Sequence, residues 1–189
     1  MVDRNPGPKE RILAAAIAIL AEEADPERIT VRQVADKAGV AVGAINYHFQ
    51  SKENLLGLAL GQVIGEVAAP WYAVGSNTDV DPVMCIKQVV RESSAVAVRY
   101  RKLATMALSR DLLSGDMTVP SLVVPLLREH YGSRKTEVEV RLMAFQLITA
   151  LQAAFVRADA FRLYAGIDLL NDTQRNAAVD LIVETALRD

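Results

Sequence analysis

The sequence predicts an all-α protein of about nine helices: a small N-terminal head of three helices, then a larger helical domain. Three observations predict it. Apolar residues recur at helical spacing from Ile12 to the C-terminus. No segment alternates apolar and polar residues as a half-buried strand does. The apolar stretches are separated by capping and breaking residues, among them Asp25-Pro26, Gly39, Ser51, Pro70 and Asp81-Pro82.

Taken in order, residues 1–8 are polar, hold two prolines and a glycine, and read as a loose arm. A first helix is expected over Lys9–Glu23, with Ile12, Leu13, Ala16, Ile17 and Leu20 inward, stopped by Asp25-Pro26. Thr30 caps a short helix over Val31–Ala38, and Gly39 breaks it. A third helix covers Val42–Phe49. Ser51 caps a fourth over Lys52–Ala69, which Pro70 ends. The segment Ala73–Val80, with Gly75, reads as a linker. Asp81-Pro82 then gives an N-cap followed by proline at the first helical position. Helices follow over Pro82–Val98 and Arg101–Leu113, with a turn at Ser114-Gly115-Asp116. A short helix ends near Tyr131-Gly132, a long one covers Thr136–Leu163, and Asn171 or Asp172 caps the last, Thr173–Arg188.

Composition bounds what the chain does. Its 189 residues are 51% hydrophobic, enough for a sizeable core. The longest apolar run, Ile12–Ala21, is ten residues, whereas a membrane-spanning helix needs about 20. That run is followed by Glu22 and Glu23 and reads as an amphipathic helix rather than a secretory leader. Cys85 has no second cysteine to pair with, and one Cys with two His makes no zinc cluster. A cytoplasmic chain without metal or cofactor is expected. A net charge of −2, with seven Lys/Arg and eight Asp/Glu in the first 55 residues, puts the burden on where charges lie, not on their total.

Residues 31–50 have the layout of a helix-turn-helix. Val34, Ala38, Val40 and Ile45 recur at the spacing that buries one side of both helices, Ala35 is small enough for them to cross closely, and Gly39 supplies a left-handed turn residue. The outer face of the third helix, Ala41, Val42, Ala44, Asn46, Tyr47 and His48, carries no acidic group. Asparagine pairs with adenine through two hydrogen bonds, and Val or Ala contacts a thymine methyl. Two ordinary short helices of a helical core fit the same spacing.

Residues 9–56 resemble the N-terminal domain of the tetracycline-repressor (TetR) family of bacterial transcriptional regulators. The resemblance rests on Ile12-Leu13-Ala14-Ala15-Ala16, Ile29 to Ala35, Ala38-Gly39-Val40, Gly43 to Phe49, and Ser51 to Leu56. Two positions depart from it. Ala41 stands where Ser or Thr is common and forfeits a cap, and Asn46 stands where an aromatic is common. The resemblance implies a DNA-binding head over residues 1–51 and a ligand-binding and dimerisation domain over 52–189. It implies base contacts from Val42, Ala44 and Asn46, and phosphate contacts from Thr30, Tyr47, His48 and Lys52. Arg4, Lys9 and Arg11 would reach the DNA backbone or minor groove. Against these roles stand a His48 stacked in the head's core, a Tyr47 hydroxyl in solvent and an Arg4 in a solvated tail.

The C-terminal domain is read from pattern. Residues 144–156 are apolar nearly all round, so the helix holding them needs cover on several sides. Ala150, Ala153 and Ala154, with Ala178, Leu181, Ile182 and Thr185 of the last helix, would form a four-helix interface across a two-fold axis, or a core within one chain. Trp71, Tyr72, Met84, Tyr100, Met106, Met143, Phe145, Gln146 and Phe155 are candidates to line a chamber for a small, largely apolar ligand, or are plain core. Gly57, Gly61 and Gly65, four apart on the fourth helix, mark close packing or a hinge. The expected function is a homodimeric repressor released from a palindromic operator by a ligand. The rivals are a ligand-independent regulator or activator, an α-helical enzyme and a protein–protein adaptor; no nucleophile, metal or nucleotide motif supports the enzyme.

Overall fold

Capping side chains start several of the helices where the sequence places them. The structure is a computed structural model that describes residues 6–23, 25–75, 80–114 and 117–188. Arg4, residues 76–79 of the expected linker and residues 115–116 of the expected turn fall outside those residues. The helices are α1 (Pro8–Glu22), α2 (Val31–Ala38), α3 (Val42–Phe49), α4 (Lys52–Gly75), α5 (Pro82–Arg99), α6 (Arg101–Ser114), α7 (Thr118–Ser121), α8 (Val124–Tyr131), α9 (Glu137–Val156), α10 (Ala158–Ala165) and α11 (Asp172–Ala186). Ten have eight residues or more, and no strand occurs among the described residues. Thr30 Oγ1 accepts the Gln33 N–H at 3.2 Å while Gln33 Oε1 accepts the Thr30 N–H at 2.7 Å, a reciprocal cap. Asp81 caps α5, and Asn171 rather than Asp172 caps α11. At the start of α9, Arg128 and Arg141 grip Glu137 and hold its carboxyl down at about 2.

Two helix ends depart from the sequence reading. Pro70 does not end α4, which continues to Gly75. Proline removes an amide donor and crowds the preceding turn, but Pro70 and Glu66, whose carbonyl loses that donor, are both exposed, so water can satisfy it. Beyond them Trp71 and Tyr72 pack onto the second core and hold the continuation in place. The long helix expected over Thr136–Leu163 is two helices, broken at Arg157 (φ −106°, ψ 34°). No glycine or proline marks the break. The bend lets Ala158 be buried and turns Phe161 onto a small cluster of Ala154, Leu169 and Ala178.

Hydrophobic packing does not divide at residue 52. One cluster joins α1, α2, α3 and the first half of α4 to Ala97, Tyr100, Leu103, Ala104 and Phe155. A second joins the distal half of α4 to α5, α8, α9 and α11, around Ile86, Leu126, Leu127, Tyr131, Leu147 and Val183. Helix α4 therefore belongs to both, and the head is built onto the body. The Tyr100 hydroxyl, buried, donates to the Leu20 carbonyl at 2.8 Å and fixes the end of α1.

Gly57, Gly61 and Gly65 of α4 do not serve close packing within the chain. A Cβ at Gly61 or Gly65 would meet nothing within 4 Å, and at Gly57 only the Arg110 guanidinium at 3.7 Å. Glycine in a helix interior costs about 1 kcal/mol relative to alanine. Gly61→Ala is therefore expected to raise the melting temperature by roughly 2–4 °C, the scale for about 1 kcal/mol in a chain of this size. A fall on thermal melting would mean that a neighbour does approach this face.

Candidate nucleic-acid interface

The turn between α2 and α3 is made by Gly39, at φ +63°, ψ +43°, a left-handed conformation that costs residues with a Cβ energy. Its N–H bonds back to the Ala35 carbonyl, and Val40 N–H does likewise at 3.1 Å. The Arg11 guanidinium donates to the Ala38 carbonyl at 3.3 Å, adding a tie from α1 to the end of α2. Val34, Ala35, Ala38 and Ile45 are buried and Val40 is half-buried, as the spacing required. The interior of the two helices thus fixes which side of α3 faces out.

That outer side holds Val42, Gly43, Asn46 and Tyr47, all exposed, Tyr47 by 84%. No carboxylate lies on α3, so nothing on the helix repels phosphate. Ala44 is half-buried and packs on the head's core, so its methyl projects less than those of Val42. His48 is half-buried between Tyr47 and Phe49, edge-on to each ring at 5.0 and 6.3 Å between centroids. Ala41 provides no side-chain cap.

Two of the four polar residues assigned to phosphates, Thr30 and Lys52, are engaged within the chain. Thr30 Oγ1 lies 2.8 Å from Gln33 Oε1 within the cap. Lys52 Nζ donates to the Pro26 carbonyl at 3.0 Å, so its ammonium holds the α1–α2 loop to the start of α4. A lysine keeps further donors after that bond, but its removal would loosen the loop as well as any DNA contact. Tyr47 is therefore the cleaner probe. Arg32, exposed in the first turn of α2, is a cation the sequence reading passed over, because a lone arginine in a polar stretch has no spacing to mark it.

The candidate chamber residues are not gathered in one place. Tyr100 and Phe155 belong to the first cluster, Trp71, Tyr72 and Met143 border the second, and Met84, Met106, Phe145 and Gln146 are exposed. Burial pushes the Tyr72 hydroxyl's pKa up. A groove of about 390 Å³ lies instead between α1 and α4, lined by Glu10, Leu13, Ala14, Ile17, Ala18, Gln62 and Glu66.

The candidate dimer residues also divide. Ala154 and Ala178 are taken up by packing within the chain, so they are not available to a partner. Ala150, Leu181 and Thr185 are exposed, and Ala153 and Ile182 are half-buried. The more continuous surface was missed. Val138 (67% exposed), Leu142 (55%) and Phe145 (41%) form a stripe along α9, leading to Ala150 and Ala153. Helix α9 has a mean hydropathy of 1.3 over its most apolar 18 residues, enough by length and composition for a membrane span, yet only 39% of that window is buried.

Comparison with known proteins places this geometry. Residues 12–59 match the family described as bacterial regulatory proteins, tetR family. The whole chain superposes on Thermus thermophilus FadR, described as a TetR family transcriptional repressor in complex with lauroyl-CoA. The TM-score is 0.64 at 18% identity, covering 92% of this chain and 93% of that one. AlkX from a Dietzia strain, a TetR family repressor implicated in n-alkane biodegradation, gives 0.61 at 12% identity over 95% of each chain. The fatty acid degradation regulator FadR of Bacillus halodurans gives 0.57 at 20% identity, over 98% and 99%. No curated protein matches in sequence. The head is a tetR-family domain, and the fold of the whole chain is that of TetR regulators.

Proposed function

We propose that this transcriptional regulator is a homodimeric repressor that reads a palindromic DNA operator through α3 and is released by a small, largely apolar ligand. The observation that carries the reading is the outer face of α3: exposed Val42, Asn46 and Tyr47, free of carboxylates, on a helix oriented by a buried tetR-family core. Asn46 supplies the paired donor and acceptor that adenine requires, Val42 the apolar contact for a thymine methyl. The exposed stripe of α9, beside Leu181 and Thr185 of α11, is a surface for a second copy. Two heads on a two-fold axis would meet successive turns of one DNA face, about 34 Å apart. The named ligands and pathways of the neighbours, lauroyl-CoA and n-alkanes, favour an acyl or alkyl chain. The spread of the chamber candidates over two clusters and the surface favours, as a second reading, a regulator of the same fold that acts without a ligand.

Selection of bound sequences from random duplex DNA by the purified protein tests the reading. The expected result is an enriched palindrome whose affinity falls with salt in proportion to the phosphates neutralised. Tyr47→Ala is expected to weaken binding to that palindrome by roughly tenfold, the scale of one lost contact of about 1.4 kcal/mol, while the melting temperature stays put. Unchanged affinity in Tyr47→Ala would remove α3 from the interface as placed here. Stripping co-purified ligand by unfolding, washing and refolding, then repeating the selection, separates a released repressor from a protein that does not read DNA.

A further inference from the structure

Helix α6 carries two adjacent polar residues that point to different parts of the molecule. The Arg110 Nη1 donates to Asn54 Oδ1 at 2.8 Å, and the Asn54 Nδ2 donates in turn to the Phe49 carbonyl at 2.9 Å. Phe49 is the last residue of α3, and its carbonyl is one of the terminal acceptors that have no partner inside the helix. That carbonyl also accepts from Ser51 N–H at 2.8 Å, where the chain reverses through Gln50 at φ +67°. The Asn54 amide is therefore oriented by both its neighbours, and Arg110 selects the orientation that ties down the end of α3. On the next residue, Asp111 Oδ2 accepts from Gln152 Nε2 at 2.8 Å. Gln152 is 6% exposed, a polar side chain among the apolar residues of α9. A buried amide that loses its partner is costly, so the position of α6 and the packing of α9 are bound to each other.

We propose that Arg110 and Asp111 form a polar relay through which the packing of α9 sets the end of the recognition helix. The chain runs Gln152, Asp111, Arg110, Asn54 and the Phe49 carbonyl. A shift of α6 that keeps Asp111 on Gln152 pulls Arg110 from Asn54, frees the Asn54 amide to turn and loosens the last turn of α3. All of these groups act through one another as positioning residues, and none is exposed on the outer face of α3. The proposal deepens the regulator reading and rests on it for the consequence at DNA, not for the coupling.

The test is a double-mutant cycle. Asp111→Ala, Arg110→Ala and the pair are compared with the wild type by amide hydrogen exchange over residues 46–51 and by affinity for the duplex that the wild type enriches from a random pool. Each single variant is expected to speed exchange in that segment at least threefold and to weaken duplex binding about fivefold. The double variant is expected to be no worse than Arg110→Ala alone. Asp111→Asn, which keeps an acceptor for Gln152, should behave as the wild type. Gln152→Leu, which removes the amide but keeps its volume, should reproduce Asp111→Ala and guards against a variant that merely fails to fold. Exchange over residues 46–51 unchanged in Asp111→Ala and Gln152→Leu overturns the relay, as do effects that multiply in the double variant. A wild type that enriches no duplex overturns the regulator reading instead, and the exchange data still decide the relay.

Discussion

Leu142→Asp is expected to turn the protein into a monomer and to cut operator affinity by at least two orders of magnitude without unfolding either hydrophobic cluster. Leu142 is 55% exposed and stands between Val138 and Phe145 on the outward stripe of α9, so the substitution removes nothing from the chain's own core. In a two-fold interface each residue is present twice. Burying a fully exposed leucine side chain is worth about 1.5–3 kcal/mol; with about half of Leu142 already covered within the chain, losing two removes roughly 1.5–3 kcal/mol, and two carboxylates without partners add a desolvation cost of several kcal/mol. At about 1.4 kcal/mol per tenfold, the dimer dissociation constant rises a hundredfold or more. A single head then meets one half-site and keeps little beyond phosphate attraction. Sedimentation velocity on the variant, with duplex binding at the same concentration, measures both effects. A variant still dimeric at the wild-type dissociation constant would move the interface off α9. The loss of a concentration-dependent melting temperature is a further expected sign, since a dimer's stability includes its association.

What the sequence revealed was local. Thr30, Asp81 and Asn171 cap because a short side chain reaches an amide two or three residues on, and Gly39 turns because it lacks a Cβ; both are written in the residues themselves. The buried side of the head followed from period alone, at Ile12, Ala16, Leu20, Val34 and Ile45. Two readings failed where distant packing decides. Pro70 stops a helix in isolation, but Trp71 and Tyr72 anchored on the second core carry α4 past it. Arg157 breaks a helix that every local preference would continue, because Ala158 and Phe161 find burial only after a bend. The bond from Lys52 to the Pro26 carbonyl was also out of reach of the sequence, since it crosses 26 residues that no local pattern connects, and it leaves the ammonium with donors for a phosphate. The exposed stripe of α9 was half legible: an all-round apolar helix needs cover on several sides, but which of its sides is left uncovered depends on how α6, α7, α8 and α11 pack against it.

Ile45→Ala and Asn46→Ala, neighbours on α3, are expected to fail in opposite ways. Ile45 is fully buried at the centre of the first cluster. Truncating a buried isoleucine to alanine costs about 2–5 kcal/mol, the transfer of the lost atoms plus the cavity they leave. That is a large share of the roughly 5–15 kcal/mol by which domains are stable. At about 2–4 °C per kcal/mol the melting temperature should fall by roughly 4–20 °C. Tyr100, Leu103 and Phe155 share the cluster, so the loss is expected in one cooperative transition and not in a separate melting of the head. Asn46 is exposed, and alanine is the better helix former, so its replacement should leave the melting temperature level or slightly higher. At DNA the order reverses. Loss of a paired contact to a base removes about 1–3 kcal/mol of discrimination, close to 5- to 150-fold, at one base pair of each half-site. Below its melting range Ile45→Ala should still prefer the same palindrome, because the outer face is intact. Asn46→Ala should accept other bases at a single position while keeping the salt dependence, which comes from phosphates. If Asn46→Ala enriches the wild-type palindrome with every position equally sharp, Asn46 does not read a base, and the specificity has to come from Val42, from Tyr47 or from the shape of the duplex.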